Sequence, residues 1–344
     1  MTTTHREIHA QYDSLKNTQR AIDAQFEAIS ALLAGANRLV FTGCGSSYTL
    51  AKSGAMHAQL RLGKPALALP TGDMLLHLDT YRPVLEGAVL VALTRSGETS
   101  EVVRAVEGMR ARGISFALLT VTCVPGSTLS QMSDLTVELP WAFDESVCQT
   151  RSVTTLYFFC TYVVARLCGD AALVADLLKT MERGNDYMAR IEPLLQPAAA
   201  LPWTHAVVLG DAELAGLCEE GALAFKEICQ LPSNFHHLLD VRHGPMVLIG
   251  QETLVVAVLS GHANKLELDL LRDVVAKGAT VVAYSDLPVD MPGVLSVSFG
   301  EALRHPARGI PAIAVCQLLS YHKSFATGAN PDQPDGLSPW IALS

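Results

Sequence analysis

The chain has no surplus of basic charge, no apolar run long enough to cross a bilayer and no C-x-x-C pair, and each absence removes a class of function. Lys and Arg number 25 against 34 Asp and Glu, a formal net charge of −9. No local cluster of Lys and Arg offsets that balance, so a nucleic-acid backbone finds no electrostatic footprint here. The most apolar helical stretch, "TTLYFFCTYVVARLC" at 154–168, is short for a span and carries Arg166, which makes it a buried helix and not a membrane segment. The N-terminal "MTTTHREIHAQYDSLKNTQR" has no apolar signal core. Eight cysteines (Cys44, Cys123, Cys148, Cys160, Cys168, Cys218, Cys229, Cys316) are scattered without paired spacing, most in apolar surroundings. That is the pattern of buried free thiols in a reducing cytoplasm.

Two cofactor signatures are missing as well. "GCGSSY" (43–48) lacks the third glycine of G-x-G-x-x-G, and no acidic residue closes a second strand at the required distance, so a dinucleotide fold is not indicated. G-x-x-x-x-G-K-[ST] is absent too, which removes the P-loop enzymes. No cofactor is expected. What is present is ample apolar material, 49% hydrophobic residues with only 17% charged over 344 residues, enough for two domains with sizeable cores.

The chain repeats its own grammar. "RLVFTGCGSSYTLA" (38–51) and "HAVVLGDAELAGLC" (205–218) each run an apolar strand into a glycine turn and a small-residue helix, with Gly43 and Gly210 separated by 167 positions. "GAVLVALTRSGETSEVVRAVEGMRARGISFALLTVT" (87–122) and "ETLVVAVLSGHANKLELDLLRDVVAKGATVVAYSD" (252–286) each read strand, turn, amphipathic helix, glycine stop, strand. Here Gly97 and Gly261 lie 164 apart, Gly113 and Gly278 165 apart. A near-constant offset of this kind marks internal duplication. Continuous Val/Leu/Ala strands alternating with helices predict parallel sheets covered on both faces, hence an α/β fold of two tandem doubly wound domains. The expected organisation is a helical segment over 1–34, a first domain over 35–185 and a second over 186–344.

Ligands in such sheets sit at the carboxyl ends of strands beside helix N-termini. In "LTRSGETSE" (93–101) a strand ending near Leu93 and a helix starting near Glu98 surround the positive end of a helix dipole with Thr94, Ser96 and Thr99, a place for an anion. The plainer reading is that Ser96 caps the helix. The companion turn "GCGSSYT" carries Ser46 and Ser47 at another strand-to-helix junction, and adjacent strands would bring both hydroxyl-rich turns to one crevice. In the second half the same turns read "GDAELAG" and "SGHAN", whose Asp211 and Glu213 would repel phosphate, so only the first half keeps the anion site.

A second constellation occupies "EEGALAFKEICQLPSNFHHLLDVRHGP" (219–245). Glu220 and Glu227 are seven apart on one helix face, amid Gly221, Ala222, Leu223, Ala224 and Phe225. In such company a carboxylate has its proton affinity raised, which suits a general base; a solvated face remains the alternative. His243 follows in a turn closed by Gly244-Pro245. His236 and His237 are further candidates, and no metal spacing is evident among these histidines.

The doubled halves, "GCGSSY", "SGETSEVV", "TRSVTT" (150–155), "EGALAFKE" and "RHGP" together resemble the SIS (sugar isomerase) family and its members with two SIS domains, over nearly the whole chain after about residue 35. The resemblance implies two flavodoxin-like SIS domains and a sugar phosphate held by Ser46, Ser47, Thr94, Arg95, Ser96 and Thr99. Thr94 stands where serine is usual and Arg95 where glutamine is common. It further implies Glu227 as the proton-transferring base and His243 as the ring-opening residue, often reaching a neighbouring subunit's site in a homodimer or homotetramer. No metal or cofactor is implied. In the family's isomerising synthases a tail lysine forms a Schiff base with the open ketose, but here the tail "NPDQPDGLSPWIALS" (330–344) has Pro339 in that place. Ala224 likewise stands where "ALKLKE" has a lysine. A substrate that already carries nitrogen on C1 or C2 would not need the missing amine. The expected activity is therefore deamination or deglycation, with isomerisation, of a 6-phosphorylated amino sugar or fructosamine. Simple aldose–ketose isomerisation and a non-catalytic sugar-phosphate sensor are the alternatives. Sensors of transcription usually append a helix-turn-helix domain, and the roughly 35 residues before the first strand are expected to hold one or two helices only, which favours the enzyme.

Overall fold

The computed structural model describes residues 2–341 and 343. They form two compact units. One comprises Ala10–Glu145, Gln149–Val174 and the chain from Ser338; the other comprises the chain up to His9, Ser146–Cys148 and Ala175–Leu337.

The first-sheet unit is built on five parallel strands, β1 (Leu39–Gly43), β2 (Ala66–Pro70), β3 (Ala88–Thr94), β4 (Phe116–Thr122) and β5 (Leu135–Glu138), in the order β2-β1-β3-β4-β5. Helices α1 (Thr3–Ala34), α2 (Ser46–Leu62), α3 (Thr71–Leu76), α4 (Leu78–Leu85), α5 (Ser100–Ala111), α6 (Thr128–Gln131) and α7 (Arg151–Leu167) accompany them. Tyr12, Leu15, Ile22, Ile29 and Leu33 are buried along α1 at gaps of three, seven, seven and four, the stripe of an amphipathic helix. Every residue of β1 and β3 is buried, which is why both read as unbroken apolar runs. One core layer joins Val40, Leu90, Ala92 and Leu118 of the sheet to Val102, Ala105, Val106 and Met109 on α5. Each of the larger of these side chains contributes about 1.5–3 kcal/mol by leaving water. The expected buried helix at 154–168 is α7, with Ser152–Ala165 buried without a break.

The second-sheet unit repeats the plan with β6 (His205–Leu209), β7 (Ser233–His236), β8 (Thr253–Val258), β9 (Thr280–Ser285) and β10 (Val294–Ser298), ordered β7-β6-β8-β9-β10 and again parallel. Its helices are α8 (Ala171–Ala200), whose first residues belong to the other unit, α9 (Ala215–Ile228), α10 (Lys265–Ala276) and α11 (Gly309–Thr327). The core sets Val207, Leu209, Val255, Ala257 and Val281 against Leu270, Leu271 and Val274 of α10. Two sheets with one strand order are the structural form of the duplication. Among the described residues no helix is long and apolar enough to cross a membrane. The eight cysteines are free thiols, six of them buried.

Candidate functional site

In the first-sheet unit β1 and β3 lie side by side with Thr42 opposite Ala92, so their following turns are one strand spacing, about 5 Å, apart. This is the point where the strand order reverses, and doubly wound sheets of this order bind ligands there. Ser46 and Ser47 open α2 just beyond β1, while Thr94 ends β3 and Arg95, Ser96 and Thr99 follow it. The first five are buried side chains and Thr99 is half-buried. The sequence thus brings all six to one place.

The turn after β3 differs in detail from expectation. The helix begins at Ser100, not near Glu98, because Gly97 takes a left-handed φ of 67° and extends the turn. The Gly97 N–H donates to Thr94 Oγ1 (3.0 Å) and the Glu98 N–H to Ser96 Oγ (3.1 Å). Ser96 therefore braces the turn and does not cap α5. The residue at the cap position is Thr99, whose side chain makes no capping bond; Gly45 before α2 makes none either. Of the motif's two carboxylates, Glu98 is turned aside, accepting from the Thr128 N–H and Oγ1, both at 2.7 Å, while Glu101 stays in the first turn of α5 with a buried, unpartnered Oε2. Two helix N-termini lined with hydroxyls and uncapped by their own side chains have the chemistry an oxyanion needs, apart from the Ser100 N–H, which donates to the Ile341 carbonyl.

Three carbonyl and amide groups of the C-terminal tail reach the same turn. Arg95 Nη2 donates to the Pro339 carbonyl, the Ser100 N–H to the Ile341 carbonyl (3.3 Å), and the Leu343 N–H to Ser100 Oγ (3.1 Å). Arg104 Nη2 also donates to the Leu343 carbonyl (2.7 Å). Sequence reasoning missed these contacts, which run through backbone groups and leave no residue signature. Arg95, expected among the phosphate ligands, thus has part of its guanidinium engaged by the tail and lies 6.0 Å from the Phe143 ring centroid. Cys44, within the turn after β1, is held as a thiol: burial, with the Glu101 carboxylate beside it, pushes it up to about 11, so it stays protonated near neutrality.

The corresponding turns of the second-sheet unit are closed. Ser260 donates through N–H (2.8 Å) and Oγ (2.6 Å) to the Glu267 carboxylate, and Asn264 with Glu267 forms a complete capping box on α10. Beside Gly261 the Arg308 guanidinium meets the buried Asp286 at 2.9 Å, where even a Cβ on that glycine would lie 2.2 Å from Arg308. Asp211, expected to repel phosphate, accepts from His237 Nδ1 (3.0 Å) and the Leu238 N–H (3.1 Å). Only one copy of the duplicated turn is left open.

Glu227 and His243 both lie in the second-sheet unit. Glu227 stands one residue before the end of α9, a helix with Gly221, Ala222, Ala224, Phe225 and Ile228 buried, and is itself half-buried, while Glu220 two turns earlier is fully buried. Lys226 points to solvent. His243 is exposed at the end of a short 3-10 turn, its N–H bonded to the Asp240 carbonyl (2.9 Å), and is followed by Gly244 at φ 123°. His236 is half-buried, and burial lowers its affinity for a proton, against an opposing pull from Asp240.

A doubly wound sheet present twice, with a hydroxyl-lined turn kept in one copy and filled by side chains in the other, defines a duplicated α/β protein. The chain belongs to the SIS domain family, whose model matches residues 32–166 and 201–289, more than half of its length. Among curated relatives, the glutamine–fructose-6-phosphate aminotransferase (isomerizing) of Pyrobaculum aerophilum is 27% identical over 356 residues and that of Aeropyrum pernix 27% identical over 362. Both matches cover 98% of this chain and 57% of the relative, so the chain spans just over half the length of these proteins. The solved tagatose-6-phosphate ketose/aldose isomerase from Escherichia coli superposes with a TM-score of 0.84 at 25% identity, covering 99% of this chain and 98% of the other. Glucosamine-6-phosphate deaminase from Thermotoga maritima gives 0.82 at 23% identity over 99% and 100%, a likeness of fold.

Proposed function

We propose that the protein is a phosphosugar enzyme that deaminates or deglycates, and isomerises, a 6-phosphorylated amino sugar or fructosamine. The observation that carries this reading is the asymmetry of the duplicated turns: Ser46, Ser47, Thr94, Ser96 and Thr99 surround two helix starts left open by their own side chains, whereas the second copy is sealed by Glu267, Asn264 and the Arg308–Asp286 pair. The phosphate sits in the open turn. His243 moves a proton between the ring oxygen and the C1 or C2 hydroxyl to open the sugar, and Glu227 carries a proton between C1 and C2 of the open chain. With a fructosamine the proton leaves C1 and returns to C2, converting the ketoamine to an imine at C1. Water adds there, and the carbon–nitrogen bond breaks to give aldose 6-phosphate and free amine. Pro339 in the tail, where the synthases have lysine, supports a substrate that brings its own nitrogen.

The deciding experiment is a screen of fructosamine 6-phosphates, glucosamine and galactosamine 6-phosphates, and plain aldose and ketose 6-phosphates, reading released amine and product sugar together. The expected result is amine release with aldose formation from a fructosamine 6-phosphate, or ammonia release with ketose formation from a 2-amino sugar 6-phosphate. Turnover of plain ketose and aldose phosphates alone would replace the reading with simple isomerisation, and binding without turnover would make the protein a sensor. Ser96→Ala should weaken phosphosugar binding about tenfold, since a hydrogen bond to a charged group contributes about 1.5–3 kcal/mol; unchanged affinity for every phosphosugar by calorimetry would remove the site.

The reading includes a cytoplasmic homodimer or homotetramer whose subunits share the site through His243. Around that residue Leu239, Val247 and Leu248 are 39%, 80% and 69% exposed, an apolar strip that a second copy would cover. Light scattering behind size exclusion should therefore give a multiple of 36.8 kDa, and Val247→Glu with Leu248→Glu should shift it towards the monomer. A monomeric wild type would end the shared-site proposal.

A further inference from the structure

Away from these turns, three histidines converge on one carboxylate. His5 Nε2 lies 2.7 Å from Glu192 Oε1, His9 Nε2 2.8 Å from Glu192 Oε2, and His322 Nε2 2.9 Å from Glu192 Oε1. His5 and His9 are one helical turn apart on α1, Glu192 belongs to α8 and His322 to α11, all within the second-sheet unit. Ligand atoms of His5, His9 and Glu192 lie within 4.8 Å of one another. The start of α1 is anchored for this purpose by Asp332, whose carboxylate accepts from the Thr3 (2.9 Å) and Thr4 (2.7 Å) N–H groups.

We propose that His5, His9 and Glu192 bind a divalent transition ion of the zinc class, with His322, which bonds the same carboxylate at 2.9 Å, holding it in place and solvent completing the coordination. An imidazole pair at i and i+4 on one helix presents two nitrogens to a single ion, and nitrogen donors with one carboxylate select zinc, cobalt or nickel over magnesium and calcium. A tetrahedral ion with bonds of about 2.0–2.1 Å has ligand edges of about 3.3 Å. The present contacts need to open by about half an ångström, a small rotation for His9, which is 32% exposed. The other three groups are 13–18% exposed, so the ion has a path from solvent into a mostly enclosed site. The role is structural: the ion ties the start of α1 to α8, 187 positions away at Glu192, and through the Glu192–His322 bond, 130 positions further on, to α11. The sequence suggests no such set, because only the His5–His9 spacing is local and Glu192 and His322 are remote from it.

The test uses the untagged chain, stripped by dialysis against a chelator. Co²⁺ should bind at about one equivalent per chain with the intense visible absorption of a four-coordinate ion, and Zn²⁺ should displace it. Zn²⁺ should also raise the thermal midpoint by several degrees, as any ligand of the native state does. Glu192→Gln and His9→Gln should each weaken Co²⁺ binding by more than about 100-fold, beyond the loss typical of residues that only support a ligand. Both should abolish the Zn²⁺-dependent rise in midpoint while keeping the far-ultraviolet dichroism. Should Glu192→Gln fail to fold, the more exposed His9→Gln decides alone. No Co²⁺ uptake by the wild type overturns the proposal, and so does uptake that His9→Gln leaves unchanged.

Discussion

Glu227→Gln is expected to lower turnover by roughly 10²–10⁴-fold while leaving phosphosugar affinity nearly intact. The amide keeps the size and packing of the carboxylate at the end of α9 and loses only its capacity to take a proton. On the proposed reading affinity resides in the open turns after β1 and β3, which belong to the other compact unit. A solvated or merely paired glutamate would change the rate little, and a purely structural one would lower stability and binding together, so the split between kcat and Kd separates the cases. His243→Ala has a different signature: slow on cyclic substrates, partly restored on substrates that are mostly open-chain, because ring opening is the step removed. A Glu227→Gln protein that still exchanges the C1 or C2 proton with solvent at the wild-type rate would refute the proton-transfer mechanism and leave a binding protein.

The strands were legible in the sequence because burial on both faces forces unbroken Val/Leu/Ala runs, and β1, β3, β6 and β8 all fall on such runs. Their duplication was legible because glycine turns recur at offsets of 164 to 167, and two sheets of identical strand order follow from it. The cluster of five hydroxyl residues and Arg95 was legible for a similar local reason: its members lie within two short turns that the topology places side by side. What seals the second copy was only half legible. Asp211 and Glu213 signalled it, but the Arg308–Asp286 pair beside Gly261 joins residues 22 apart and carries no motif. The tail contacts escaped entirely, since the carbonyls of Pro339, Ile341 and Leu343 would offer the same acceptor whatever the side chain. The start of α5 shifted from Glu98 to Ser100 through the backbone conformation of Gly97, a property of a single residue that periodicity does not report.

That glycine supports the second large effect. Gly97→Ala should weaken phosphosugar binding by roughly 10²–10⁴-fold, the equivalent of two charge-assisted hydrogen bonds at about 1.5–3 kcal/mol each. A left-handed φ of 67° costs a side-chain-bearing residue about 1–2 kcal/mol. The added Cβ would also lie 2.0 Å from Ser127 Oγ and 2.5 Å from Ser127 Cβ, so the turn must move. Movement breaks the Gly97 N–H to Thr94 Oγ1 bond and displaces the Thr94 and Ser96 hydroxyls together. Gly113 supplies the control, with a φ of 64° and open space where its Cβ would stand. Gly113→Ala should lower the thermal midpoint through the same backbone strain and leave affinity alone. Pairing Gly97→Ala with Ser127→Gly removes the two Ser127 clashes, leaving Thr122 Oγ1 at 3.1 Å and the backbone strain, so the double variant should recover part of the lost affinity, a coupling that a double-mutant cycle reads directly. Gly97→Ala binding phosphosugar as tightly as wild type would show that the turn after β3 does not hold the phosphate, whatever becomes of Glu227.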